Sequence, residues 1–212
     1  LFAAQCPIGL SRKAYAGGTG AMMNSFVRID PNNVVTMLAN NSEFGNGAYT
    51  VMSMMLAEEL DVDYCSIALE AAPTTPEYYS PLFREYLTAG SVTTGSTFMP
   101  MRTAGAKARA MLLEAASKDW NVPVSELTTG DATVTHAGTG RSATYGELLE
   151  TIHRLDIQPP ETVTLKDPSE FKILGKPARR YEGAGKVDGT AEFGIDIKLP
   201  GMLYGAIARP PV

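Results

Sequence analysis

Cysteine and histidine are both scarce in this sequence of 212 residues, which has two of each. Cys6 and Cys65 are too few for a disulfide scaffold, and neither belongs to a C-x-x-C pair of the kind that binds zinc or an iron–sulfur cluster. They could form one bridge or stay free. His136 and His153 stand in unrelated contexts, so we expect no histidine-based metal site and assign no metal ligand to this chain.

Long apolar runs and clusters of basic residues are also missing. A membrane-spanning helix needs about 20 mostly apolar residues in succession, and no run in the sequence approaches that length. The formal net charge is -5 with no concentration of Lys or Arg, which argues against nucleic acid as a partner. What is present, 44% hydrophobic and 19% charged residues, is typical of a folded chain that is long enough to bury a core.

Composition and periodicity divide the sequence into three segments. Residues 1–23 contain Gly and Ala without a clear period, and we interpret them as an extended N-terminal arm. Residues 24–160 carry well-defined strand and helix patterns. Residues 161–212 follow a stretch rich in Pro and charge, and they combine many glycines with short β-type runs. This change of composition predicts a domain boundary near residue 160.

The middle segment begins with a hairpin pattern, in which residues 26–30 alternate, residues 31–33 form the turn and residues 34–38 return. A methionine-rich helix, a strand and a long loop follow, and the strongest helix pattern starts at Pro100. Short strands around a turn come next, with His136 as a hairpin residue. Thr144 and Glu147 then have the spacing of a capping box, which predicts a third helix.

Two loops of similar composition each precede a long helix. The first reads Glu-Phe-Gly-Asn-Gly over residues 43–47, and the second reads Ser-Val-Thr-Thr-Gly-Ser-Thr over residues 91–97. A helix N-terminus offers unpaired N–H groups and a partial positive charge, and glycine lets an anion approach the backbone. Two such loops could hold the two ends of a phosphorylated ligand, although the same residue types are also ordinary helix caps.

No catalytic constellation can be assembled from the residues present. Glu43 could act as a general base, but a single acid in a turn usually accepts hydrogen bonds from nearby N–H groups. Tyr78 and Tyr79 could line a pocket or simply pack against a surface, and the methionines of the first helix are better explained as core. We therefore assign no catalytic residue to this chain.

The last strand pattern, residues 203–208, has no partner strand after it. Natural proteins avoid exposed edge strands because such strands pair with other chains. We therefore expect this chain to be part of something larger.

The order of these segments resembles the start of the molybdenum-binding large subunit of the xanthine dehydrogenase and aldehyde oxidase superfamily. The similarity is to the isoquinoline 1-oxidoreductase branch, which includes bacterial membrane-associated aldehyde dehydrogenases. In that branch the first loop usually reads Glu-Met-Gly-Gln-Gly, and the helix after it ends Ala-Glu-Glu-Leu. Here the loop is EFGNG over residues 43–47 and the helix ends AEEL over residues 57–60. The second loop, with the helix that follows it, and residues 165–212 also resemble the family.

This resemblance implies an α+β fold, in which a mixed-sheet molybdopterin-binding domain at residues 24–160 precedes a linker and the start of a smaller α/β domain at residues 161–212. It implies molybdopterin cytosine dinucleotide as the cofactor, shared with a partner chain. Asn46 replaces the usual Gln and is one methylene shorter. The residues implied to line the cofactor are Glu43, Phe44, Gly45, Asn46 and Gly47 on one side, and Thr94, Gly95 and Ser96 on the other.

The resemblance further implies a molybdenum hydroxylase, which oxidises aldehydes or N-heteroaromatics with water-derived oxygen. Electrons would pass to 2Fe-2S clusters and haem c on partner subunits. The catalytic glutamate of the family lies in a late Gly-rich motif, so this chain would be an N-terminal fragment or split subunit that is not complete alone. The alternative is a non-catalytic scaffold or assembly subunit. The branch is commonly periplasmic, and partner subunits could attach it to the membrane.

Overall fold

A computed structural model describes residues 20–210 of the chain. Most of the predicted arm, together with Cys6, therefore lies outside the described residues. The described part contains a four-stranded sheet, a three-stranded sheet and four α-helices. The strands are β1 (Ala21–Asn24), β2 (Val27–Ile29), β3 (Val35–Ala39), β4 (Ala68–Ala71), β5 (Leu127–Gly130), β6 (Thr133–His136) and β7 (Arg141–Thr144), and the helices are α1 (Ala48–Leu60), α2 (Thr93–Trp120), α3 (Tyr145–Arg154) and α4 (Gly183–Asp188).

The first sheet has the order β1-β2-β3-β4 and is mixed. β2 and β3 form the predicted antiparallel hairpin, with Val27 opposite Met37 and Ile29 opposite Val35. β4 then pairs parallel to β3, because α1 carries the chain back between them. β1 adds an edge strand that starts at Ala21, inside the segment interpreted as an arm. These strands and helices confirm the α+β class with a mixed sheet.

α1 and α2 pack against each other through an unusually close backbone approach at Gly105. A Cβ atom at this position would lie 2.6 Å from the carbonyl oxygen of Leu56. Only glycine allows two helices to meet at this distance. The methionines of α1 face the resulting core: Met52 is fully buried and Met55 almost so. The prediction that they fill the core is confirmed.

α2 begins at Thr93, seven residues before the start that the sequence indicated. Pro100 suggested a helix start because proline is favoured in the first turn and is unfavourable in a helix interior. The chain instead accepts Pro100 inside the helix, since Thr93, Thr97 and Met101 are all buried on one face of it. Thr94, Gly95 and Ser96 consequently lie in the first turn of α2, and the prediction of a loop there was wrong.

The second sheet and α3 follow the sequence patterns closely. β5, β6 and β7 form an antiparallel meander, and both halves of the Thr144–Glu147 capping box are present at the start of α3. His136 ends β6 as predicted. Its buried ring contacts the carboxylate of Glu126 at 2.9 Å and the hydroxyl of Thr139 at 2.8 Å.

The segment after α3 differs from the prediction. Among the described residues after α3 there is no strand, and α4 is the longest regular element. Residues 203–208 have no regular structure, and Leu203, Tyr204 and Ile207 are at least 80% exposed. A strand needs a neighbour that satisfies its N–H and C=O groups, and the described part of the chain offers none to this run.

Two consecutive buried carboxylates attach this last segment to α1. Glu58 accepts hydrogen bonds from the backbone N–H groups of Lys172, Ile173 and Leu174 at 3.0, 2.7 and 2.8 Å. The side chain of Glu58 is completely buried. Since a buried carboxylate is stable only when its lone pairs are occupied, residues 172–174 are held in one place on the end of α1.

Glu59 forms the second attachment, in which the side chain of Arg102 takes part. Its carboxylate pairs with the guanidinium of Arg102 on α2 at 2.6 Å and accepts from the backbone N–H of Lys166. Arg102 in turn donates to the carbonyl of Lys166 at 2.6 Å, and its guanidinium lies between the rings of Phe98 and Phe171. α1, α2 and the last segment therefore meet at this buried ion pair.

We predict that Glu58→Gln destabilises the fold by roughly 2–4 kcal/mol, because the new NH2 group would face backbone donors that now have an acceptor. Urea denaturation measures this as a fall in the free energy of unfolding. Glu114→Gln is the matched control, since Glu114 is 44% exposed and pairs only along the surface of α2 with Lys118. Equal stability of the two variants would contradict the anchoring role of Glu58.

Candidate functional site

The two loops predicted to share a site lie next to each other. Asn41, at the end of β3, donates from its amide to the carbonyl of Leu87 at 2.8 Å and to the hydroxyl of Thr88 at 3.3 Å. The backbone N–H of Ser42 donates to the same hydroxyl at 2.8 Å. Asn41 also reaches the hydroxyl of Thr93, which opens α2. These contacts join the residues that precede each loop, so both helix N-termini belong to one surface.

The side chain of Glu43 points into its own loop. One carboxylate oxygen accepts from the N–H groups of Gly45 at 2.6 Å and Gly47 at 3.1 Å, and the other accepts from the N–H of Tyr49 at 3.3 Å. The side chain is only 7% exposed. The prediction that this acid is a hydrogen-bond acceptor within the loop is confirmed.

The hydrogen bonds decide the ionisation of Glu43. Burial alone would raise its pKa, but the N–H groups of Gly47, Gly45 and Tyr49 and the charge of Arg180 hold the pKa below its usual value. The carboxylate therefore stays charged at neutral pH, and it occupies the positive end of α1 itself.

Asn46 completes the inner side of the loop. Its side-chain oxygen accepts from the N–H of Ala48 at 3.2 Å, a contact two residues along the chain that asparagine makes readily and that suits its short side chain. The first N–H groups of α1 are thus already paired within the loop. This differs from the expectation that they would be free for an anion, and it leaves the outer side of the loop as the surface for a ligand.

The outer side of the loop is open and made largely of backbone. Gly45 and Gly47 have φ of 103° and 82°, which side chains disfavour, and a Cβ at Gly45 would meet nothing within 4 Å. Phe44 is 69% exposed, and Gly45 and Asn46 are exposed as well. Peptide groups of this loop can therefore be approached closely from outside.

The N-terminus of α2 supplies the donors that α1 lacks. The first N–H groups of a helix have no partner within it, and no described side chain caps α2. Thr94 and Gly95 are exposed, and a Cβ at Gly95 would also meet nothing within 4 Å. A neutral turn with free N–H groups beside an open glycine loop fits a group that is bound through backbone and amide contacts.

Several residues of this surface were not predicted from the sequence. Asn40 and Asn41 are both buried directly after an apolar strand, and the Nδ2 group of Asn40 donates to the carbonyl of Tyr78 at 3.0 Å. Two buried amides at the end of a strand are the pattern that could have revealed them. Arg180, which donates to the carbonyl of Gly45 at 2.6 Å, is distant in sequence and could not have been placed.

Tyr78 belongs to the packing beneath the sheet rather than to an open pocket. Its ring meets Phe26 edge to face at 5.4 Å, and its hydroxyl donates to the carbonyl of Ser25 at 2.7 Å. Of the two interpretations open for this residue, the structure supports packing.

Residues 20–210 contain neither a cluster of metal-ligating side chains nor a membrane-spanning helix. No group of three or more His, Cys, Asp or Glu side chains in this range is placed to hold a metal ion. No helix in the same range has the length and apolar character needed to cross a membrane.

Comparison with known protein families matches residues 5–197 to the molybdopterin cofactor-binding domain. The match extends over most of the sequence, including both loops, both long helices and the segment anchored by Glu58 and Glu59. The chain belongs to this family.

Two curated relatives place the chain among larger proteins. It is 32% identical to the isoquinoline 1-oxidoreductase subunit beta of Brevundimonas diminuta, over 89% of this chain and 28% of the relative. It is 27% identical to the membrane-bound aldehyde dehydrogenase (pyrroloquinoline-quinone) of Gluconacetobacter polyoxogenes, over 86% of this chain and 23% of the relative. The chain therefore spans about a quarter of the length of each.

A solved structure, the reconstituted CO dehydrogenase from Oligotropha carboxidovorans, is also similar. It has a TM-score of 0.49 and 21% identity, and the similarity covers 67% of this chain and 18% of that one. This likeness is too distant to bear on function.

We predict that the loop of residues 43–47 titrates with a midpoint below the usual glutamate value of about 4.3. Because the pKa of Glu43 is lowered in the fold, its stabilising effect is full above the usual value and is lost as the pH falls through the lowered one. NMR shifts of the Gly45 and Gly47 amides against pH measure this midpoint. Glu43→Gln should abolish the titration, and Glu77→Gln should leave it unchanged, because Glu77 is exposed on the short 3-10 helix Pro76–Tyr78. A midpoint at or above the usual value would contradict the prediction.

Proposed function

We propose that this chain is the N-terminal, cofactor-binding part of a molybdenum hydroxylase. The observation that carries the proposal is the contact between the two loops: Asn41 and Ser42 join the residues before each helix, within a chain whose family binds a molybdopterin cofactor. In such an enzyme the bound molybdenum cofactor supplies the oxidation of an aldehyde or N-heteroaromatic carbon with water-derived oxygen.

The cofactor proposed is molybdopterin cytosine dinucleotide. The N–H groups at Thr94 and Gly95 would bind its phosphate groups, since a helix N-terminus favours a negative charge. The N–H of Ser96 already donates to the carbonyl of Val92 at 2.8 Å, so Ser96 would line the cofactor through its side chain. The outer side of the loop, with Phe44, Gly45 and Asn46, would lie along the cofactor from the other side. In this arrangement Glu43 and Gly47 contribute by holding the loop in shape, since the Glu43 carboxylate is already used within it.

The rest of the large subunit is the first partner we propose. From α4 to the last described residues, large apolar side chains are exposed, among them Val187, Phe193, Ile195, Leu199, Leu203, Tyr204 and Ile207. An exposed apolar stretch of this size is characteristic of an interface. The active-site glutamate would belong to that part, so this chain is incomplete as an enzyme. A 2Fe-2S subunit and a cytochrome c subunit would accept the electrons.

The names of the relatives support the substrate class and the location. One relative is named for isoquinoline, an N-heteroaromatic, and the other for aldehydes and for the membrane. We accordingly propose aldehydes or N-heteroaromatics as substrates. We also propose a periplasmic site of action, with membrane association through partner subunits.

Composition of the purified native assembly tests this function. We expect about one molybdenum atom per large subunit, together with a pterin and a cytosine nucleotide released on denaturation. Pyrroloquinoline quinone, which the name of one relative carries, would be found instead if the redox group were a quinone. An assembly with neither group would support the alternative of a non-catalytic scaffold or assembly subunit.

We predict that Gly95→Leu abolishes cofactor retention while the protein stays folded. The added side chain meets no atom of this chain within 4 Å of its Cβ, so any loss reflects the space that the cofactor occupies. Gly130→Leu is the matched control, because that glycine is equally open but follows Thr129, whose hydroxyl contacts Asp61 at the C-terminal end of α1.

Molybdenum content and thermal unfolding of both variants give the result. Full molybdenum content in Gly95→Leu would contradict the placement of the cofactor at α2. A lower unfolding temperature in Gly95→Leu alone would mean that the substitution acts on the fold.

A further inference from the structure

Arg180 is the one described cation whose side chain reaches the backbone of the Glu43–Gly47 loop. Its Nη2 atom donates to the carbonyl oxygen of Gly45 at 2.6 Å and lies 3.7 Å from the Glu43 carboxylate. Its Nε atom pairs with Glu182 at 2.9 Å. A single guanidinium thus spans the loop and the segment that leads into α4.

The position of Arg180 is itself fixed by the two residues that follow it. The backbone N–H of Tyr181 donates to the hydroxyl of Thr50 on α1 at 2.8 Å, and the buried Tyr181 hydroxyl donates to the carbonyl of Ile67 at 2.6 Å. Glu182 also accepts from the Thr50 hydroxyl at 3.2 Å. Tyr181 and Glu182 are therefore held at the first turn of α1, which aims the guanidinium of Arg180 at the loop.

Arg180 contacts the carbonyl of Gly45, a residue whose backbone is free to adopt many conformations. Gly45 has φ of 103° and no neighbour for a side chain, so the peptide groups on either side of its Cα can rotate unless each is held by a hydrogen bond. Its N–H, in the peptide before the Cα, donates to Glu43, and its C=O, in the peptide after the Cα, accepts from Arg180. The two peptide groups are thus fixed by opposite charges from different parts of the chain.

We infer that Arg180 is a positioning residue, which fixes the outer side of the Glu43–Gly47 loop only when residues 166–182 are docked on α1. Formation of the loop surface is in this way coupled to docking of the last segment. The consequence for cofactor binding rests on the proposed function, whereas the effect on the loop does not.

Hydrogen exchange of the loop amides in the full-length protein, with and without its cofactor, tests this inference. In Arg180→Met we expect the amides of residues 44–49 to exchange roughly three to ten times faster, because one charge-assisted hydrogen bond is lost at a half-exposed site. Arg180→Lys keeps the charge but cannot reach Gly45 and Glu182 together, so its exchange should lie between Arg180→Met and the unaltered protein.

Lys186→Met is the matched control. Lys186 also pairs with Glu182, at 3.4 Å, and makes no contact with the loop, so its removal alters the same acid without touching Gly45. Unchanged exchange in Arg180→Met, or equal acceleration in Lys186→Met, would overturn the inference.

The proposed function and this inference can be disproved independently of each other. If the unaltered assembly lacks molybdenum, the proposed function is wrong, yet the exchange result still decides the role of Arg180. If molybdenum is present, Arg180→Met should also lose cofactor faster than Lys186→Met during dialysis.

Discussion

The structure depends on the anchoring of carboxylates at the two ends of α1. At the end of the helix Glu58 and Glu59 are buried, and each is satisfied by groups from residues 166–174 or from α2. Before its start, Glu43 is satisfied by the loop that it closes. Since an unpaired buried carboxylate costs several kcal/mol, about as much as the whole stability margin of a small domain, the helix and its partners must fold together.

This constraint explains why parts of the chain that are distant in sequence act as one unit. Arg102 and Lys166 are brought to Glu59, and Arg180 is brought to Glu43, although 43 to 137 positions separate these pairs along the chain. The segment after α3 has little regular structure of its own, yet it is ordered against α1 by backbone donors. A boundary near residue 160 therefore describes a change of composition, while the contacts run continuously across it.

The sequence predicted those features that depend on local pattern. Alternation and turn residues located the β2–β3 hairpin, and the Thr144–Glu147 spacing located α3, because hydrogen bonds between near neighbours decide both. The start of α2 was misplaced because a local preference of proline was outweighed by burial of Thr97 and Met101, which only the tertiary fold reveals. Arg180 could not be found for the same reason.

Pro100 gives the first turn of α2 a property that an unbroken helix would not have. Proline has no N–H, so the hydrogen bond that the carbonyl of Ser96 would accept from position 100 is missing. The first turn is therefore joined to the rest of α2 by one hydrogen bond fewer than an unbroken helix would supply, and burial of Thr93 and Thr97 keeps it helical.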